Sequence, residues 1–179
     1  MSTPKALPTK VAFKGEVSTR GEATALLRAP GDVVVVRRGH LRLFVISCPD
    51  GCGAIVPINL EPALGDAWKL YVTKRGLSLY PSVWRDSGCG SHFIVWDSGL
   101  FLFNDGSSGY HSVQENRELA ARILSFLNQS GATSFEVLAD YLDEVPWAVL
   151  DAARILVIQG QLSEIRKGVF QCRDLTPSI

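Results

Sequence analysis

The spacing of apolar residues divides the chain into two regions. Over residues 11–103, short apolar runs recur and are separated by turns rich in glycine, proline and aspartate. The run at residues 33–36 consists of four valines, which is typical of a strand buried on both faces. Residues 41–47 and 54–60 are further apolar segments of strand length, next to glycine-containing turns. This pattern predicts an all-β domain of short hairpins.

After residue 103, the apolar residues take the spacing of helices. The first predicted helical face consists of Leu119, Ile123, Leu124 and Leu127. Thr133 and Glu136 have the spacing of a capping box that opens a second helix, and Pro146 suits the first turn of a third. Two short apolar runs on either side of residues 166–168 then predict a hairpin. Three helices followed by a hairpin is the order of a winged helix.

These patterns predict an α+β chain of four segments. Residues 1–10 form a loose tail, residues 11–104 a β-rich metal-binding domain, residues 105–113 a linker, and residues 114–175 a winged-helix-like domain. A small helical cap on the β domain is the alternative for the last segment.

Composition narrows the class of protein. The chain has 18 Lys+Arg and 18 Asp+Glu residues, and this balance argues against a general nucleic-acid binder, which needs a basic surface. No apolar run is long enough to cross a membrane, and the N-terminus lacks the apolar core of a signal peptide. We therefore expect a cytoplasmic protein. In that reducing compartment, paired cysteines favour metal binding over a disulfide.

Two short clusters carry the candidate chemistry. Three residues separate Cys48 from Cys52, and two residues separate Cys89 from His92. Two close pairs of such ligands, far apart in sequence, suit a tetrahedral Cys₃His zinc site. Because four protein ligands leave no position for water, such a site would be structural rather than catalytic. An iron–sulfur cluster is a weaker alternative for the same residues.

A metal-free interpretation gives these residues a different role. Cys89 would then be a nucleophile with His92 or His111 as its base, as in cysteine peptidases. Ser91 is a second candidate nucleophile, although it adjoins His92, and adjacent residues on a strand point to opposite faces.

Residues 30–104 resemble a bacterial family of domains of unknown function. The matching segments are GDVVVVRRG at 31–39, CPDGCG at 48–53, PINL at 57–60, AW at 67–68 and LYPSVWRDSGCGSHFIVW at 79–96. Members of that family are commonly encoded beside bacterial ubiquitin-like proteins and their E1-like and E2-like enzymes. The resemblance implies a metal site at Cys48, Cys52, Cys89 and His92. It also implies a role in a bacterial ubiquitin-like conjugation pathway, with antiphage defence as one setting.

Three functions follow from these observations. The main hypothesis is a zinc-binding interaction module, an adaptor or E3-like protein that holds an E2-like or ubiquitin-like partner. The alternative is a peptidase that processes or removes the ubiquitin-like protein, with Cys89 or Ser91 as nucleophile and His92 or His111 as base. A winged-helix DNA-binding regulator is a third hypothesis, but the predicted third helix has only Arg154 as a basic residue.

Overall fold

The computed structural model describes residues 7–103 and 116–173 of the chain. It divides into two compact units, Met1–Tyr110 and His111–Ile179. The architecture is α+β, as predicted, with the large sheets in the N-terminal half and most of the helices towards the C-terminus. The N-terminal unit is not the all-β domain of hairpins that we expected, because it contains a helix at Arg20–Leu26 between two parallel strands. The predicted linker at 105–113 lies entirely outside the described residues.

The first sheet of the N-terminal unit has four strands in chain order. They are β1 (Ala12–Val17), β2 (Asp32–Arg38), β3 (His40–Ser47) and β4 (Ile55–Asn59). β1 runs parallel to β2, and the connection between them includes helix α1 (Arg20–Leu26), which begins with a complete capping box at Thr19 and Glu22. The other neighbours are antiparallel.

The second sheet has four antiparallel strands. They are β5 (Lys69–Thr73), β6 (Gly76–Trp84), β7 (His92–Trp96) and β8 (Gly99–Leu102). Its inner face packs on the first sheet, and the shared core includes Val33, Val35, Phe44, Ile46, Leu79, Val83, Phe93 and Val95. Val34 and Val36 instead pack with Ala23 of α1 on the other side of β2. The valine run is therefore buried on both faces, as its sequence predicted.

Strand β6 is longer than the apolar run at residues 76–79 suggests, because it continues through Pro81 to Trp84. Proline cannot donate a hydrogen bond to a neighbouring strand. Here the regular pairing of β6 with β7 is interrupted between Leu79 and Val83, so the ladder requires no donor at Pro81.

The C-terminal unit contains three helices and a small sheet. The helices are α2 (Arg117–Ser130), α3 (Phe135–Leu142) and α4 (Pro146–Ile158), and the strands are β9 (Thr133–Ser134), β10 (Leu162–Arg166) and β11 (Val169–Cys172). The sheet order is β10-β11-β9. The N-cap of α3 is Ser134 rather than the predicted Thr133, because the Ser134 hydroxyl accepts a hydrogen bond from the Val137 N–H.

Among residues 7–103 and 116–173, no helix combines the length and the apolar character needed to cross a lipid bilayer.

Candidate active site and cysteine cluster

The hairpin of β6 and β7 brings a serine and a histidine together. Trp84 pairs with His92 across the two strands, and Ser82 lies two residues before Trp84 on β6. Residues two apart on a strand share a face, and side chains diagonal to each other on neighbouring strands are within reach. The Ser82 Oγ atom accordingly lies 3.1 Å from His92 Nε2. Val83 and Phe93 point the other way, into the core.

Neighbouring aromatic groups hold both residues of this pair. The His92 ring stacks on Trp84 with 5.7 Å between ring centroids, and Phe103 lies on it at 4.9 Å. The Phe103 N–H also donates to the His92 carbonyl at 2.9 Å. On the other strand, the Trp68 indole N–H donates to the Ser82 carbonyl at 3.3 Å. The ring of His92 and the backbone of Ser82 are therefore both held by groups outside their own strands.

The Ser82–His92 contact has the geometry of an activated nucleophile. A hydroxyl within hydrogen-bond distance of an imidazole nitrogen can lose its proton to that nitrogen as it attacks a carbonyl carbon. With the imidazole proton on Nδ1, the Ser82 hydroxyl donates to Nε2. Both residues are only partly buried, so a substrate can reach them.

A separate group of possible metal ligands gathers beside this hairpin. Cys48, Asp50 and Cys52 lie on the turn after β3, and Cys89 lies on the loop between β6 and β7. Their four ligand atoms all lie within 4.8 Å of one another, and the sulfurs of Cys48 and Cys89 are 3.6 Å apart. A tetrahedral zinc site with bonds of about 2.3 Å places sulfurs roughly 3.8 Å apart. These four residues could therefore bind a metal ion.

A guanidinium group and a carboxylate flank the three sulfurs of the cluster. The Arg85 Nη1 atom lies 3.0, 3.4 and 3.5 Å from the sulfurs of Cys89, Cys52 and Cys48. Burial raises the pKa of the Cys48 thiol to about 12, so a metal must displace its proton on binding. Burial would also raise the pKa of Asp50, but hydrogen bonds from Cys89 and Cys52 outweigh it and lower that pKa to about 2.

The structure places the predicted site residues in two different locations. Cys48, Cys52 and Cys89 come together, with Asp50 rather than His92 beside them. His92 contacts Ser82 instead. His111, the other predicted base, lies outside the described residues.

The two predicted nucleophiles lack the features of an activated group. Desolvation raises the pKa of the Cys89 thiol, whereas a cysteine nucleophile needs a lowered one. Ser91 is 2% exposed, and among the described residues its hydroxyl has no hydrogen-bond partner. It directly precedes His92, the first residue of β7, and no contact joins its hydroxyl to the His92 ring in the described residues.

Ser82 was not among the site residues predicted from the sequence. Pro81 interrupts the strand pattern directly before it, so residues 81–84 gave no register to align with residue 92. The usable signal was the turn at residues 85–91, flanked by apolar residues on both sides. Aligning the two flanks as a hairpin would have placed Ser82 diagonal to His92.

Comparison with known proteins identifies one related family. The family model described as bacterial ubiquitination-like system serine protease (BubE) matches residues 19–100, a little under half of the chain. The match includes Ser82, His92 and the three clustered cysteines, and it supports a bacterial ubiquitin-like pathway as the setting. No curated protein and no solved structure matches the chain.

The match corrects our main functional hypothesis. We expected a zinc-binding adaptor or E3-like module that does no chemistry of its own. The matching family is described as a serine protease, so the adaptor hypothesis is wrong, and the peptidase alternative agrees better with this finding.

Proposed function

We propose that the chain is a serine peptidase of a bacterial ubiquitin-like conjugation system, with Ser82 as nucleophile and His92 as general base. The observation that carries this proposal is the 3.1 Å contact between Ser82 Oγ and His92 Nε2 on the outer face of the second sheet. The family match supports the reaction class and the pathway.

The reaction follows from this pair of residues. His92 Nε2 takes the proton of the Ser82 hydroxyl as Oγ attacks the carbonyl carbon of the scissile bond. The proton then passes from His92 to the leaving group, and the substrate acyl group stays on Ser82 as an ester. Water, deprotonated by His92, attacks this ester and releases the acid product. The serine and histidine are thereby regenerated.

The substrate that suits this setting is the ubiquitin-like protein of the same system. The scissile bond would follow its C-terminal residue, either in a precursor or in a conjugate. We expect purified full-length protein to cleave a reporter from the C-terminus of that ubiquitin-like protein. Intact mass of the product identifies the cleaved bond, and a fusion to an unrelated globular protein serves as the control. No cleavage of the cognate fusion, or equal cleavage of both fusions, would contradict the proposal.

We also assign zinc to the cysteine cluster. Three cysteine sulfurs and one carboxylate oxygen form a ligand set that zinc accepts, and the sulfur spacing suits its bond lengths. With four protein ligands, bound zinc would join the turn after β3 to the loop between β6 and β7. Arg85 would donate to the coordinated sulfurs and offset their negative charge. The metal would thus stabilise the loop between β6 and β7, the two strands that hold Ser82 and His92.

For the C-terminal unit we retain the winged-helix-like assignment. It is supported by the order of α2, α3 and α4 followed by the hairpin of β10 and β11, and by the pairing of β9 with β11.

A further inference from the structure

Trp84 is an exposed aromatic residue beside the Ser82–His92 pair. Its side chain is 74% exposed although it stacks on the His92 ring. It lies two residues after Ser82 on the same strand and therefore on the same face. A large apolar side chain left in solvent at this position offers contact area to whatever approaches the nucleophile.

The backbone of Trp84 also faces an uncovered sheet edge. The His92 carbonyl accepts a hydrogen bond from Phe103, so the polar backbone groups of His92 point away from β6. In an antiparallel pair, the backbone groups of the opposite residue then point away as well, which directs those of Trp84 to the side of β5. The pairing of β5 with β6 ends at Lys69 and Tyr80. Within the described part of the chain, no strand covers this edge of β6 at Trp84.

From these observations, which we combine with the proposed peptidase function, we propose that Trp84 binds the substrate. An extended polypeptide tail would lie along the free edge of β6 as an added strand. The backbone N–H and C=O of Trp84 would form ladder hydrogen bonds with it, and the indole would pack against one of its side chains. Ser82 lies two residues before Trp84, and its carbonyl already accepts a hydrogen bond from the Trp68 indole. The added strand would therefore pair at Trp84, and its end would lie next to the nucleophile.

Binding to a catalytically inactive protein tests this inference separately from cleavage. In a Ser82→Ala background, we expect Trp84→Ala to raise the Kd for the ubiquitin-like reporter fusion by about 10- to 30-fold. Trp84→Phe should recover most of the affinity because it keeps an aromatic contact. Val72→Ala is the matched control. Val72 is 72% exposed on the same sheet, and it pairs with Leu77, away from Ser82. Amide hydrogen exchange should also slow at Trp84 when the fusion binds.

The outcomes separate the two proposals. If the protein with Ser82→Ala binds the fusion and Trp84→Ala leaves the Kd unchanged, or if the fusion does not bind at all, the inference about Trp84 is overturned. With Ser82 intact, a contact with substrate predicts that Trp84→Ala raises KM more than it lowers kcat. A fall in kcat alone would mean that Trp84 only positions His92. Absence of cleavage together with Trp84-dependent binding would reject the peptidase and keep the binding surface.

Discussion

Replacing Ser82 with alanine is expected to reduce kcat/KM for cleavage of the ubiquitin-like fusion by at least about 1,000-fold. The substitution removes the oxygen that attacks the substrate, and water at the same position is a poor substitute. The fold should survive, because the Trp68 indole bonds to the backbone carbonyl of Ser82 rather than to its side chain. Initial rates at substrate concentrations well below KM measure the effect, and the thermal midpoint of the variant checks its folding.

Two further variants make this result specific. Ser87→Ala removes a hydroxyl from an exposed residue of the neighbouring loop and should leave kcat/KM unchanged. His92→Gln removes the base and should cost nearly as much as Ser82→Ala, because the two residues act as a unit. If Ser82→Ala kept more than a tenth of the activity while folded, Ser82 would not be the nucleophile.

The second large effect is expected at Cys48. Cys48→Ser should lower the zinc content of the purified protein from one ion per chain to none, because Cys48 is fully buried at the centre of the ligand group. A ligand present at 1,000 times its Kd stabilises a fold by about 4 kcal/mol. Loss of that binding would lower the thermal midpoint by roughly 8–16 °C in a protein of this size. Elemental analysis and a thermal melt measure the two effects.

Cys172→Ser is the matched control for this prediction. Cys172 is partly buried in the C-terminal unit, and its sulfur lies 3.9 Å from the Leu124 carbonyl. Its replacement should leave the zinc content unchanged and shift the midpoint by only a few degrees. A wild-type protein that carries no metal, or a Cys48→Ser protein that retains a full equivalent of zinc, would reject the metal site.

Much of the N-terminal unit could be predicted because local patterns were strong there. The four valines at residues 33–36 indicated a strand covered on both sides, and in the structure α1 covers one side and the second sheet the other. The order of three helices and a hairpin was also predictable, because the apolar spacing changes after residue 103. The apolar pattern could not predict which element covers each face of β2, because packing between strands that are distant in sequence does not change the local sequence pattern.

Local sequence patterns predicted only part of the candidate site. The close spacing of Cys48 and Cys52 in the sequence predicted that their side chains lie together. In the structure they do, and Cys89 lies beside them as expected. Spacing and the family resemblance also assigned His92 to the cluster, although neither of them gives the direction of the side chain. His92 is the first residue of β7, and the pairing of that strand with β6 turns its ring to Ser82. Side-chain direction on a strand depends on register, which only the folded hairpin provides.

Covalent labelling of the nucleophile tests the central claim most directly. A fluorophosphonate reacts with a serine hydroxyl that a neighbouring base activates, and tandem mass spectrometry of the digested protein locates the adduct. We predict one adduct per chain, on Ser82, and its loss in the His92→Gln variant. An adduct on Ser91, or a folded wild-type protein that does not react at all, would contradict the assignment of Ser82 and His92 as the catalytic pair.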